Sequence, residues 1–375
     1  MTGPEPTTAA TEEECRAAAA ELEQAIRSGD TQRAQHAFGL EVLTHRAVSE
    51  LPVADNLKSE LRDVMHSRAN TSMFVEGLLG HVRNGGQFKL LRIRPADGRH
   101  TATFRFVHMK FTFEYLDVVI ARFPSGRVGI EDATLLREGD RLKDVLRIDI
   151  LPAAILRDPS LTDRVSADDR LLLDNSEKKQ ELYRAYRAKK WQETIAKYKE
   201  LPTGLQDRKP FLFRYITACI EARRPEQAAA LERCRQLFPG DPGIHLLVTD
   251  HHFSRNEYKP TLQALTDFRA YVGEDPVLDV IESFVHFRSG EVKKAKLAVE
   301  QAVEADPELK MSYGMRLGFA LALKDHADTL EWIKRAVEKT GHDFGDLRRV
   351  PAYAAFVESP EFRQFLAWRA NRQKP

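Results

Sequence analysis

The sequence predicts an α+β N-terminal domain, helices packed on a curved antiparallel sheet, followed by an all-α solenoid of helical repeats. Three observations carry that reading. Between residues 88 and 136 apolar and polar residues alternate with period two, interrupted by short Gly-containing turns, the mark of consecutive antiparallel strands. Helix-period patterns precede them, from residue 11 to 84. From residue 175 to 341 one unit recurs, its second helices starting at Trp191, Pro225, Tyr258, Glu291 and His326, spaced 34, 33, 33 and 35 residues apart. Such a spacing belongs to helix pairs that bury their apolar faces only by stacking on neighbours.

Residues 1–10 are small and polar and are expected to be disordered. The α+β domain follows over 11–150. Thr11 and Glu14 have capping-box spacing, and an Ala-rich helix runs from them to about Arg27, where Ser28-Gly29-Asp30 stops it. A second helix is expected over 31–51, with Ala34, Phe38 and Leu43 on its buried side and Pro52 at its end. Two more, 55–68 and 71–84, lead to Asn84-Gly85-Gly86. Strands are expected over 88–94, 101–108, 111–122 and 128–136, with Asp97-Gly98 as a hairpin turn and Pro124-Ser125-Gly126 as another. In the second strand Ala102, Phe104, Phe106 and His108 share one side, Thr103, Arg105 and Val107 the other. In the third, Phe113, Tyr115 and Asp117 share one face and Glu114, Leu116 and Val118 the other. The pattern leaves open which of these faces turns inward.

Residues 151–174 read as a packed connector. Pro152 and Pro159 are expected to interrupt helix there, while Ile148, Ile150, Leu151, Ile155 and Leu156 are too apolar for a free linker. Over 175–341 about five helix pairs are expected; in the fourth, Gly290 breaks the chain and Ala295, Val299, Ala302 and Val303 line one face. Residues 342–375 are expected to cap the last pair, with Ser359 as N-cap and Pro360 at the first helical position.

With their near-34-residue spacing and small Ala residues set among larger ones, the repeats resemble the tetratricopeptide repeat (TPR) family across nearly half the chain, although no unit carries the full consensus. The stretch Glu114-Tyr-Leu-Asp-Val-Val-Ile-Ala-Arg122, then Ser125-Gly126-Arg127-Val128 and Glu131-Asp132, is similar to the cone-shaped nuclear transport factor 2-like superfamily, in particular to bacterial members that precede helical repeats. That superfamily includes isomerases, dehydratases, binding modules and dimerisation domains, so the resemblance implies a fold and transfers no single activity.

Composition narrows the function classes. Lys and Arg number 57 against 56 Asp and Glu, a net charge of +1, so no general electrostatic grip on nucleic acid is expected. Three scattered cysteines supply neither a disulfide framework nor a zinc site. No signal peptide and no run of eighteen apolar residues occur, so a cytoplasmic protein without a membrane span is expected. Gly80 to Gln87 lacks the Gly-Lys-Ser/Thr of a phosphate loop, and neither a His-Glu-x-x-His nor a Gly-x-Ser-x-Gly occurs. Adjacent His251 and His252 point about 100° apart on a helix, so no metal role is assigned to them. No cofactor is expected.

Two candidate sites remain. On the repeat phase, Lys179, Tyr183, Tyr186, Arg187, Arg214, Phe253, Phe284, Phe287 and Arg288 are placed on the concave groove, and aromatic and Arg side chains are the types that anchor interfaces. In the sheet, His108, Tyr115, Asp117 and Asp132 form a candidate cone pocket; burial there would raise a carboxylate toward general-base duty. The expectation drawn is a non-catalytic scaffold that binds a protein or peptide in the groove, with the cone domain as a dimerisation or docking module and a homodimer through that domain. The alternative is a small-molecule-binding or isomerase- or dehydratase-like cone to which the repeats recruit a partner. A Phe- and Leu-filled cone would favour the first, a deep polar one the second.

Overall fold

The computed structural model describes residues 7–49, 51–67, 70–108 and 112–372. The expected disorder over 1–6 and the strand start at 111 lie outside the described residues. Residues 7–10 belong to the fold: β1 (Thr8–Ala9) pairs with Arg122 and Ala121. Four helices and a fifth then run α1 (Glu12–Ser28), α2 (Thr31–Phe38), α3 (Leu40–Ser49), α4 (Asp55–Ser67) and α5 (Asn70–Arg83). The Thr11–Glu14 capping box forms, and Gly29 closes α1 in the left-handed conformation. The single helix expected over 31–51 is two, because Gly39 adopts φ +60° and ends α2.

The sheet follows as β2 (Gln87–Ala96), β3 (Arg99–Val107), β4 (Phe113–Arg122) and β5 (Val128–Leu135), all antiparallel neighbours in sequence, with β1 beside the end of β4. Asp97 and Gly98 both take positive φ, the geometry of a two-residue hairpin. Bulges at Leu91 and after Val119 curl the sheet. Its apolar face carries Phe88, Ala102, Phe104, Phe106, Leu116, Val118 and Ile120 into one core with Cys15, Leu22, Ile26 and Phe38 of the preceding helices.

The connector is helical: α6 (Leu142–Arg157), α7 (Leu161–Arg164) and α8 (Ala167–Asp174). Pro152 does not break α6, contrary to the expectation. A proline inside a helix forgoes one backbone bond, and here Leu146, Ile150, Leu151 and Ala154 hold the helix by burial in the same core as the sheet.

The remaining helices are α9 (Ser176–Arg187), α10 (Trp191–Lys199), α11 (Thr203–Gln206), α12 (Lys209–Glu221), α13 (Gln227–Leu237), α14 (Gly243–Ser254), α15 (Tyr258–Val272), α16 (Pro276–Arg288), α17 (Val292–Ala305), α18 (Lys310–Ala322), α19 (His326–Thr340), α20 (Ala354–Val357) and α21 (Pro360–Arg372). The turn between paired helices repeats in backbone detail. Lys189, Arg223, Asn256, Gly290 and Lys324 are all left-handed, at intervals of 34, 33, 34 and 34 residues. Around four of them the same two hydrogen bonds close the first helix, for example Lys190 N to Ala185 O at 3.0 Å and Lys189 N to Tyr186 O at 2.9 Å.

Two compact units result, one reaching to Ser254 with Ala270–Gly273 added, the other made of Arg255–Arg269 and the chain from Glu274. In the second, Tyr313, Leu317, Trp332 and Ile333 pack with Leu347, Phe356, Phe362 and Phe365, so the trailing segment caps α18 and α19. Ser359 accepts from the amide of Phe362, as an N-cap should. No helix among the described residues is long and apolar enough to cross a membrane.

Candidate functional site

The second face of the sheet is polar and is nonetheless buried: Thr103, Arg105 and Tyr115 have no exposure, and Asp117 and Asp132 little. Opposed register explains their company. Thr103 stands opposite Asp117 and donates to it at 2.6 Å, while Arg94 of β2 donates to the same carboxylate at 2.8 Å. The Tyr271 hydroxyl, near the end of α15, also donates to Asp117, and the Arg94 guanidinium lies 4.0 Å over the Tyr271 ring. Asp132 accepts from Arg141 at 2.7 Å and from the amides of Ala133 and Lys143. Both carboxylates are thus committed to arginines, Arg94 and Arg141, that sequence pattern did not connect to them. His108 is on the other side of the problem: its Nδ1 lies 2.8 Å from Nδ1 of His81 on α5, and its ring meets the edge of Phe106. Burial, and then the neighbouring His81, push His108 down to about 4. The four cone-pocket candidates therefore do not converge on one cavity.

The segment after β5 grips the first helices of three pairs, α9, α12 and α14. Leu136 donates to Tyr115 O, and Gly243, at the start of α14, comes so close to Leu136 O that any side chain would collide with it. Glu138 and Asp140 both accept from Arg214 of α12 at 2.5 Å. The Arg214 guanidinium also lies 4.3 Å over Tyr183 and 5.3 Å over Tyr186, and its side chain is 5% exposed. The Tyr183 hydroxyl donates to Asp140. Three groove candidates, Arg214 with Tyr183 and Tyr186 stacked on it, thus serve an acidic turn of their own chain, Glu138-Gly139-Asp140, and the partners of that turn are what sequence reasoning missed. The turn's only signal was a Gly between two carboxylates after a strand, which marks a turn without naming its partner.

Beside the turn lies a cleft of about 1150 Å³, framed by α6, α8, α9 and the start of α12. Lys179, Tyr183 and Arg187 of α9 line it, four residues apart along one helix face, with Arg184 alongside. Most of its charges are internally paired: Arg147 with Asp169 at 2.6 Å, Arg208 with Asp168 at 3.1 Å and Lys209 with Asp241 at 2.7 Å. The side chains of Lys179, Arg184 and Arg187 make no hydrogen bond or close ion pair among the described residues, although Glu138 lies within electrostatic reach of Arg187 and Glu181 of Arg184. Burial holds the Lys179 ammonium below its ordinary value, against the pull of Asp149 and Asp140.

The other groove candidates lie elsewhere. Phe253, near the end of α14, is half-buried. In the second unit Phe287 stacks on Phe319 at 4.4 Å, Phe284 is half-buried, and exposed Arg288 reaches Asn256 at 3.4 Å. No known protein family matches the chain, and no curated protein matches it.

Proposed function

We propose that the chain is a non-catalytic protein-recognition scaffold whose helix pairs are of tetratricopeptide type and whose first domain is a nuclear transport factor 2-like module for docking. The observation that carries this reading is the cleft on the first helix pair, lined by Lys179, Tyr183 and Arg187. Its volume exceeds the roughly 300–1,000 Å³ usual for small-molecule sites, and Arg and Tyr are favoured interface anchors. The sheet supports a packing role in turn. Its helix-covered face is filled with Phe88, Phe104, Phe106 and Leu116, and Asp117 and Asp132 are spent in ion pairs rather than held free as bases. Docking is favoured over edge-to-edge dimerisation, because edge strand β2 carries Lys89, Arg92, a bulge at Leu91 and Pro95, features that discourage strand addition.

The test places a photo-crosslinking amino acid at Gln180, which lines the cleft, and separately at exposed Gln236 on α13. A protein partner captured from Gln180 and not from Gln236 supports the reading. Capture from both alike, or none from Gln180, overturns it.

A further inference from the structure

Acid outnumbers base where the turn after β5 meets the repeats. Among the described residues, four carboxylates, Glu114, Glu138, Asp140 and Asp250, share that joint with two bonded guanidiniums, Arg137 and Arg214. Arg187 lies within electrostatic reach of Glu138, but its side chain is exposed. The hydroxyls of Tyr183 and Tyr186 add no charge, because burial keeps both protonated. A largely buried cluster whose charges do not cancel relieves the imbalance by holding a proton. We propose that this joint is a proton-operated latch, closed while Glu114 and its neighbour Glu138 retain a proton and opened at the turn when that proton leaves.

Glu114 is the pivot. It is 7% exposed, stands opposite Phe106 of β3, and accepts from the amides of Tyr115 at 2.8 Å and Arg137 at 3.1 Å. The second of these bonds fastens the turn to β4. The charges that act on Glu114 belong to the turn itself: Arg137 and Glu138. The Arg137 guanidinium is bonded to Asp250 of α14 at 2.5 Å, lies over the Phe113 ring, and has the Tyr186 hydroxyl of α9 nearby. Glu138 is within hydrogen-bond reach of Asp140, and both lean on the one guanidinium of Arg214 from α12. A proton lost from Glu114 therefore leaves a carboxylate against Phe106 and near a second carboxylate, while its counter-charge is shared with Asp250.

Release follows from where water can enter. Burial raises Glu114, to about 7, and Glu138 as well, with Arg137 and Arg214 acting against the rise. Arginine keeps its charge throughout, so loss of a proton adds only negative charge to the joint. An ionised carboxylate recovers its hydration only if its cover moves. Phe106 is fixed in the core of the sheet, whereas the turn is a connection held to β4 by the amides of Leu136 and Arg137. Connections of this kind open at lower free energy than core strands. Opening lifts residues 137–140 from α9, α12 and α14, and return of the proton closes them again.

Hydrogen–deuterium exchange of the full chain, read by mass spectrometry at pH 6 and pH 8 and corrected for the intrinsic pH dependence of exchange, tests the latch. A group titrating near 7 when closed and near 4.5 when open makes opening about tenfold easier at pH 8 than at pH 6. Peptides covering 136–141 should therefore lose about tenfold in protection, while those of α17, in the other compact unit, keep theirs. Returning the protein to pH 6 should restore the protection, and Glu114→Gln should abolish the loss. Unchanged protection over 136–141 overturns the latch. Equal loss in α17 also overturns it, since that reports unfolding of the whole chain. A glutamine variant that keeps the wild-type loss does the same. The comparison of the two regions in the wild-type protein decides the matter even if the variant does not fold.

Discussion

Arg94 and Asp117 lie on strands separated by β3, yet their side chains meet at 2.8 Å across it, with Thr103 donating to Asp117 from the strand between. The pair is 14% and 11% exposed, so its charges lean on each other rather than on water. Tyr271 completes the group, which ties the last turn of α15 to the sheet.

Asp117→Asn should therefore cost on the order of 3 kcal/mol, since it strands a buried guanidinium beside a neutral amide. Tyr271→Phe removes one hydrogen bond and should cost about 1 kcal/mol. Denaturant titrations of both variants check this order. A larger loss for Tyr271→Phe than for Asp117→Asn would contradict it.

Arg214→Lys should be nearly as damaging as Arg214→Ala, about 3 kcal/mol or more for either, because Glu138 and Asp140 are held by two arms of one planar fork stacked on tyrosines. A lysine point charge reproduces neither the fork nor the stacking. Melting temperatures close to wild type for the lysine variant would show that charge alone holds the turn.

Glu114 gives a pH prediction. Burial pushes its carboxyl up to about 7, with nearby Arg137 and the amides of Tyr115 and Arg137 acting against the rise. In the unfolded chain the group titrates near 4.5, so between these values the folded protein holds a proton that the unfolded chain releases. The associated stability is present in full below about pH 4.5, declines as pH rises, and is gone above about 7. Glu114→Gln keeps an oxygen for both amides and removes the titration. It should be more stable than wild type at pH 8, by up to about 3 kcal/mol, and equal to it near pH 4. Chemical denaturation at the two pH values decides the matter, and parallel profiles would count against it.

Lys189, Arg223 and Lys324 sit at φ 55°, 51° and 55°, where a side chain crowds the carbonyl and glycine does not. Lys324→Gly and Lys189→Gly should each raise stability by about 1 kcal/mol, while Gly290→Ala, at φ +84°, should lower it by a similar amount. Differential scanning calorimetry on the three variants reads the sign directly.

Local rules were legible in the chain and long-range partners were not. The Thr11–Glu14 box, the Asp97-Gly98 hairpin and the start of α10 at Trp191 each depend on residues within a few positions, and the pattern located them. The period near 34 was visible through Gly290 and the apolar faces, and the left-handed Lys and Arg turns strengthen it, although residue type alone hides them. Pro152 misled because a proline usually ends a helix, and burial of Leu146 to Ala154 overrode it. Alternation on β3 and β4 separated two faces but held no information on which turns inward, and none that both are covered, Thr103, Arg105 and Tyr115 included. Of the candidate site, Lys179, Tyr183 and Arg187 were readable as one face of α9. That Arg214 and Tyr183 are occupied by Glu138 and Asp140 depends on a contact more than seventy residues long for the first and more than forty for the second.

The clasp on that acidic turn has a practical corollary for anyone trimming the gene. A cut at 174/175, where the repeat pattern begins, would sever Arg214 from both carboxylates and leave Gly243 without the Leu136 carbonyl it packs against. The upstream piece would also lose Tyr271 from Asp117 and Asp250 from Arg137, and buried charges deprived of their partners favour misfolded, self-associating states during expression. Recombinant pieces divided there should collect in inclusion bodies, and co-expressing the two halves should return them to the soluble fraction as a complemented pair.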